Sequence, residues 1–356
     1  MKLVKLSELK GNEKLGKHIL TPNGMELMAK GTTLKPEYIS KLQELGIEYV
    51  YIDDSMFINI DFDNEEQGII RNKVKEESTS IVKNVLERHI YRNTSDLEKL
   101  CQAANIIVDD ILSENNVLER VVNIRREGTD IYTHSINVCS MATVIALKND
   151  YDKETVMEIA KGCILHDVGL RYTAVNYENV DVESMAQKDK SEFKKHIVLG
   201  FDAIDSEPWA SNIVKDIILL HHERCDGSGY PFKRQGKELD DIIKIVSVCD
   251  AFDSMISGIG YEPMKVHKVV EYIKSHSLGK FASKYAEQLL TMVAMYPVGT
   301  KVVTSDNRIG VVVKQNKECI DRPVIKIIAE RSGKPLPEET VDMTSVLTIF
   351  IEDTLD

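Results

Sequence analysis

His134, His166-Asp167, His196, His221-His222 and Asp250 lie on five separate segments strung over about 120 residues, and this spacing limits the possible folds more than any other feature. It is too wide for a finger or knuckle, whose ligands sit a few residues apart, and it suits a metal site assembled inside a helical bundle. Each segment also carries apolar residues at helical spacing. In DIYTHSINVCSMATVIAL, His134 shares a face with Val138, Met141 and Ile145, and Asp130 lies one turn before it. In VMEIAKGCILHDVG the stripe Val156, Ile159, Cys163 leads to His166, with Asp167 beside it. His196 falls among Phe193, Ile197, Gly200 and Ile204, while His221, His222 and Asp250 follow Ile217, Ile218 and Val246 by one turn each. Every candidate ligand is therefore expected where a helix would bury a leucine.

A lone histidine or aspartate beside an apolar face is more often a hydrogen-bonded core residue or helix cap than a ligand. Joint occurrence reverses that weighting, because seven such groups in one core would be costly without a cation to compensate them. All the donors are imidazole nitrogen or carboxylate oxygen, which fits Fe or Mn better than a thiolate zinc site. Seven ligands suggest two divalent ions, bridged by Asp167 and a hydroxide, an arrangement suited to in-line attack on a phosphoester. Asp130 is a candidate eighth ligand. Cys225 and Cys249 are near the ligands in sequence and are read as packing residues, and His18, His89, His267 and His276 as surface or structural.

The formal charge of -12 argues against a phosphate-backbone footprint, although a small anionic substrate remains compatible if metal ions supply local positive charge. The six cysteines include no CxxC pair and read as reduced thiols. The N-terminus interleaves charge with apolar residues, and no run of 18 apolar residues occurs, so a soluble cytoplasmic chain without a membrane span is expected.

Residues 1–60 read as a small α+β unit in which a helix from Pro36 to Leu45, capped by Gly46, precedes a strand from Ile47 to Ile52. Gly11, Asn23-Gly24 and Gly31 punctuate its short apolar stretches, and DDSMFINIDFDNEEQG reads as a linker. A helical connecting region, 61–124, follows with Ile81, Val85, Leu97, Leu100, Ile107, Ile111, Leu118 and Val122 at amphipathic spacing. Residues 125–290 hold all the candidate ligands. The last unit, 291–356, is expected to be β, with two β-branched runs around the Asp306-Asn307 turn and two further strands in PVIKIIA and SVLTIFI.

The motifs YTHSINV, LHDVG, KKHIVLGFDAI, HHERCDGSGYP and SVCDAFDSM, in this order, resemble the HD-GYP family, a branch of the HD-domain phosphohydrolases, over residues 125–290. The resemblance implies a mainly α fold, an HD-type helical bundle, here with small β-containing units at both ends. It implies hydrolysis of cyclic di-GMP to pGpG, often on to GMP. By motif, His134, His166, Asp167 and Asp250 would hold one metal, and Asp167 would bridge to a second held by His196, His221 and His222, with His166 and Asp167 at the catalytic centre. Asp130 stands where some members carry a glutamate that recruits a third metal. The family places the DGSGYP loop, with Asp226, Gly227, Gly229, Tyr230 and Pro231, at the edge of the substrate site or at a partner surface, and Tyr261 follows as a substrate-side candidate. A structural turn alone is the plainer reading of that loop.

Departures from the family pattern bear on the substrate. Leu170 replaces the lysine after the HD motif, Ile259 and Glu262 stand where a DRPYR stretch has arginines, and the segment after the HD motif lacks the usual prolines. Loss of bidentate phosphate donors would weaken binding of a dianionic dinucleotide, and Glu262 is expected to face it. Two further readings therefore stand beside a cyclic di-GMP phosphodiesterase. One is an HD hydrolase of another cyclic or linear phosphoester. The other is a signalling module that binds a partner such as a diguanylate cyclase through the GYP face, and a homodimer is compatible with any of them.

Overall fold

The structure, a computed structural model, describes residues 2–9, 11, 13–16, 18–20, 26–45, 47, 49–53, 68–88, 94–114, 121–124, 130–332 and 334–355. The Asn23-Gly24 turn, the Gly46 cap, the linker apart from its two ends, His89 and Leu118 lie outside these residues. The chain divides into two compact units, Met1–Asp63 with Leu355–Asp356, and Asn64–Thr354.

In the first unit, β1 (Lys2–Lys5), β2 (Lys14–Leu15), β3 (Ile19–Leu20), β4 (Glu26–Met28), α1 (Pro36–Glu44) and β5 (Tyr49–Asp53) follow in order. The sheet runs β1-β5-β2 with both neighbours antiparallel, and β3 and β4 form a separate pair. Pro36 opens α1 where its missing N–H costs nothing, and Ile39 and Leu42 on one helical face join Leu6, Leu15, Leu34, Val50 and Ile52 in a small core.

The second unit is built from α2 (Asn72–Arg88), α3 (Leu100–Ser113), α4 (Ile131–Lys148), α5 (Lys153–Leu165), α6 (Gln187–Lys194), α7 (His196–Ile204), α8 (Asn212–Leu220), α9 (Asp241–Ser257), α10 (Val266–His276) and α11 (Ser283–Met292). α4 packs against both α5 and α9, and α5 against α8, so these four helices form the centre of the bundle. α4 and α9 are apolar nearly all round and are buried along most of their length, as helices at the centre of a bundle must be. Side-chain caps fix where the central helices begin. Asp152 accepts from Thr155 N at 2.8 Å and Asp240 from Ile242 N at 2.8 Å. α9 ends at Gly258, whose φ of 87° is a left-handed cap that a side chain would strain. Leu97, Leu100, Ile107, Ile111 and Val122 are buried in the same core as α4, α5 and α9, so the connecting helices share its packing.

The C-terminal strands β6 (Lys301–Thr304), β7 (Arg308–Lys314), β8 (Val324–Glu330), β9 (Pro335–Asp342) and β10 (Ile351–Leu355) form a sheet in the order β10-β6-β7-β8-β9. The Asp306-Asn307 turn and the PVIKIIA strand are where the β-branched runs place them. SVLTIFI is not a strand. Residues 345–350 are irregular, and Arg322 Nη1 donates to the carbonyls of Met343 at 3.1 Å and Ile349 at 3.3 Å, which satisfies backbone that a sheet would otherwise have to pair. The unexpected strand is β9, whose PLPEETVD sequence has no β-branched run. It is an edge strand, mostly exposed, where prolines and glutamates are tolerated. Asn123 Oδ1 accepts from Val298 N at 2.8 Å, and Val122 pairs with Val293, so the sheet's leading segment is tied to the helical body.

Among the described residues, no helix is long and apolar enough to cross a membrane.

Candidate metal centre

The seven candidate ligands converge, but not in the way their sequence spacing suggests. Only His134, in α4, and Asp250, in α9, lie inside helices. His166 and His221 follow the last residues of α5 and α8, His196 opens α7, His222 lies just past α8, and Asp167 precedes a 3-10 turn, Val168–Tyr172. The expectation that every ligand replaces a buried leucine within a helix is corrected accordingly. Helix ends are useful here because their last carbonyls have no partner within the helix. His166 Nδ1 donates to Cys163 O at 2.6 Å, His196 Nδ1 to Phe193 O at 2.7 Å, and His221 Nδ1 to Ile217 O and Ile218 O at 3.0 Å each. A carbonyl can only accept, so each of these rings carries its proton on Nδ1 and turns a lone pair on Nε2 towards the centre.

His134 reaches the same tautomer by another route. Its Nδ1 lies 2.8 Å from Asp253 Oδ2, and Asn137 Nδ2 donates to Asp253 Oδ1 at 2.8 Å. The Nε2 atoms of His134 and His166 are then 3.1 Å apart, and those of His196 and His222 are 3.2 Å apart. Lone pairs that close repel unless a proton or a cation lies between them.

Asp167 straddles the two groups. Its Oδ2 is 3.6 Å from His134 Nε2 and 3.5 Å from His166 Nε2, while its Oδ1 is 3.4 Å from His196 Nε2 and 3.6 Å from His221 Nε2. Asp250 Oδ1 completes the first group at 3.5 Å from His134 and 3.6 Å from His166, and its Oδ2 lies 3.6 Å from His222 Nδ1. Two sets thus have ligand atoms close enough for one ion each, His134, His166 and Asp250, and Asp167, His196, His221 and His222. Asp167 Oδ1, His221 Nε2 and Asp250 Oδ2 are buried with no hydrogen-bond partner, a cost that a divalent cation would remove.

The electrostatics agree. Burial lowers His196 to about 4 and holds His222 well below the ordinary imidazole value. At His134 burial acts in the same direction, but hydrogen bonds to Asp250 and Asp253 outweigh it and push the pKa up to about 10. Burial alone would raise Asp167 and Asp250, yet the surrounding histidines hold both carboxyls well below the usual range. In the absence of a metal, the carboxylates draw a proton onto His134, and a divalent cation would take that proton's place.

Asp130 does not join the cluster. It is the N-cap of α4, and its Oδ1 accepts from Tyr132 N at 3.0 Å and Thr133 N at 2.8 Å, while Oδ2 accepts from Thr133 Oγ1 at 3.2 Å. A carboxylate spent on capping is pointed at backbone, which is why helical-face reasoning alone misplaces it.

Several supporting residues carry a weaker sequence signal. Asp253 lies one turn after Asp250 on α9, a spacing that places a second carboxylate on the same face. Arg224 is buried, with Nη1 donating to His221 O, Glu223 O and Ser247 Oγ at 2.8 to 2.9 Å and Nη2 lying 3.8 Å from Asp250 Oδ2. Buried Glu223 accepts from Phe232 N at 2.7 Å and Arg234 N at 3.0 Å, which folds the DGSGYP loop back onto the ligand helix. Within that loop Asp226 is exposed and caps its own turn through Ser228 N, and Gly227 has φ of 75°. Gly229 presses so closely on His222 and Glu223 that a Cβ would lie 2.5 Å from their backbone. Tyr230, followed by a cis peptide to Pro231, stacks on His222 with ring centroids 4.7 Å apart.

The family-divergent positions carry no basic side chain. Leu170 and Ile259 are buried in the apolar core, and Ile259 is bridged to Glu178 in the segment after the HD motif. Glu262 is exposed, next to the half-buried Tyr261.

The HD domain model matches residues 131–255, and the model of the KOW domain associated with HD domain matches 302–356. A cyclic di-GMP phosphodiesterase of Pseudomonas aeruginosa is 27% identical over 247 residues, 67% of this chain and 59% of the relative. One of Thermotoga maritima is 28% identical over 217 residues, 57% of this chain and 58% of the relative. A 3'3'-cGAMP-specific phosphodiesterase of Vibrio cholerae is 28% identical over 131 residues, 35% of this chain and 24% of the relative. The chain spans less than two thirds of the length of these relatives. Among solved structures, Bd1817, an HDG"Y"P protein from Bdellovibrio bacteriovorus, superposes with a TM-score of 0.54 at 20% identity, covering 81% of this chain and 98% of that one, a likeness of fold.

Proposed function

This chain belongs to the HD-GYP family of HD-domain proteins, and we propose that it is a metal-dependent phosphodiesterase acting on cyclic di-GMP, with pGpG, GMP or both as products. The observation that carries this reading is Asp167, whose two oxygens each face a separate pair of imidazole Nε2 atoms. His134, His166 and Asp250 would hold one ion, His196, His221 and His222 a second, and Asp167 both. Bound divalent metals, Fe or Mn by donor type, supply Lewis acidity and a strong oxygen nucleophile at neutral pH.

The chain's own side chains prepare that chemistry. Carbonyls at three helix ends and the Asp253 carboxylate hold the Nδ1 protons of His166, His196, His221 and His134, which keeps the Nε2 lone pairs directed inwards. Five of the seven ligands, His134, His166, His196, His221 and Asp250, are 0 or 1% exposed, so the bundle shields the ligands from competing water. Tyr230 forms a wall on the more open His222, where a nucleotide base or sugar would lie against the loop.

A second reading is favoured by Leu170 and Ile259. Both are buried apolar residues at positions where the family carries basic groups, so another cyclic or linear phosphoester, one less dependent on such phosphate contacts, is the alternative substrate. Parallel hydrolysis assays with cyclic di-GMP, cyclic GMP-AMP and pGpG, after anaerobic reconstitution with Fe or Mn, separate the two. Preference for cyclic GMP-AMP, or cleavage of pGpG alone, would favour the second reading, and no cleavage of any of the three by the metal-loaded chain would count against both.

A further inference from the structure

We infer that Lys194, at the last residue of α6, supplies a substrate-phosphate contact in place of the basic group that Leu170 cannot provide, an assignment that rests on the phosphodiesterase reading above. Leu170 is 1% exposed and packed in the core, so it offers substrate no charged or polar group. Arg224, the nearest buried cation to the ligands, is committed to His221 O, Glu223 O and Ser247 Oγ. Lys194 is placed differently. Its ammonium lies 4.7 Å from the centroid of the Tyr230 ring, and Tyr230 stacks on the ligand His222 at 4.7 Å and 24°. The charge is therefore within about two ring-stacking distances of a proposed metal ligand, held over the aromatic face by its quadrupole.

Its charge is also incompletely balanced. Glu183 Oε1 is 3.9 Å away, but Glu183 is bonded to Lys190 as well, so one carboxylate serves two ammonium groups. The Lys194 side chain is 34% exposed, enough to meet a ligand and sheltered enough for the charge to act through a reduced dielectric. A cyclic dinucleotide carries two phosphates on opposite sides of its ring. With one phosphate at the metal centre, the geometry assigns Lys194 to the second, as a compact point charge that makes no demand for bidentate alignment. The contact would form on binding and persist through the reaction, so it should govern KM more than kcat.

The test compares the metal-loaded full chain with Lys194→Met and Lys194→Arg, measuring metal content, thermal midpoint and cyclic di-GMP kinetics for each. Lys194→Met is expected to raise KM about tenfold with kcat changed less than about threefold, and Lys194→Arg to recover most of the loss. The penalty should shrink as salt is raised, and it should exceed by several-fold any effect on bis(p-nitrophenyl) phosphate, which has a single phosphate. Equal KM values for wild type and Lys194→Met, with metal retained and cyclic di-GMP turned over, would overturn the assignment of Lys194 alone. A fall in kcat and metal content together, unrescued by arginine, would reassign Lys194 to holding the loop. A fully metalled wild type that neither binds nor cleaves cyclic di-GMP would overturn the functional reading, and this assignment with it.

Discussion

His134 and Asp253 form a buried pair in which Nδ1 of the imidazole lies 2.8 Å from Oδ2 of the carboxylate, on the side of the ring opposite the ligand cluster. The carboxylate fixes the tautomer and raises the basicity of Nε2. Removing such a partner typically costs about 10- to 100-fold in metal affinity. Asp253→Ala is therefore expected to weaken metal binding by about that factor, and to destabilise the fold because Asn137 Nδ2 loses its acceptor as well. Competition with a chromophoric chelator measures the affinity, and an unchanged value would show that the tautomer is set by something other than Asp253.

Asp167 faces four imidazoles, whereas Asp250 faces three and retains Ser254 Oγ as a donor at 3.1 Å. Asp167→Ala should lose more metal than any other single ligand substitution, including Asp250→Ala. Elemental analysis after anaerobic purification checks the order. Greater loss in the Asp250 variant would place the bridge there.

Gly169 approaches α7 so closely that a Cβ would lie 1.8 Å from His196 O and 2.7 Å from Gly200 N. Neither backbone atom can yield without moving a ligand helix. Gly169→Ala should cost about 3 kcal/mol or more in urea unfolding and reduce metal content together with stability. Gly279→Ala, where nothing lies within 4 Å of the added atom, is the control and should be near neutral.

Much of the cluster was legible in sequence because candidate metal ligands stand out by residue type. Histidines and aspartates next to apolar stripes in five segments are costly unless something binds them, and the structure brings those seven together. Their local setting was not legible, because helix-face reasoning assumes helices run through the ligands, whereas His166, His196 and His221 use the carbonyls of the last helical turn. Asp130 shows the same limit from the other side. An aspartate directly before an apolar run is also an N-cap, and capping took precedence. Arg224 and Glu223 act mainly on backbone atoms, so side-chain spacing gives no signal for them. In the C-terminal sheet, SVLTIFI has strand composition but its backbone is held by Arg322, while β9 has strand geometry with edge composition. Composition reports burial and edges only in part.

Glu223 accepts the amides of Phe232 and Arg234 and thereby closes the loop that carries Tyr230. Glu223→Ala should leave two amides without their acceptor and speed their hydrogen exchange, at a cost of about 1 to 3 kcal/mol to loop ordering. Site-resolved exchange at Phe232 and Arg234 is the readout. Unchanged protection would mean that the loop is held by its glycine packing instead.

Chelation should lower thermal stability, since it restores lone-pair repulsion between the Nε2 atoms of His196 and His222, 3.2 Å apart, and leaves buried Asp167 and Asp250 atoms unpaired. A fall of several degrees in the thermal midpoint, reversed by Mn or Fe, is expected. An identical midpoint would mean that protons alone satisfy the cluster.

The most direct measurement follows product from cyclic di-GMP as metal is titrated into anaerobically prepared, metal-stripped protein, with bound metal quantified at each step. The expected result is no product without metal, a rise to a plateau near two equivalents of Fe or Mn with pGpG or GMP released, and no rise in Asp167→Ala. A protein that binds two equivalents and yet releases no product from cyclic di-GMP would contradict the proposed function.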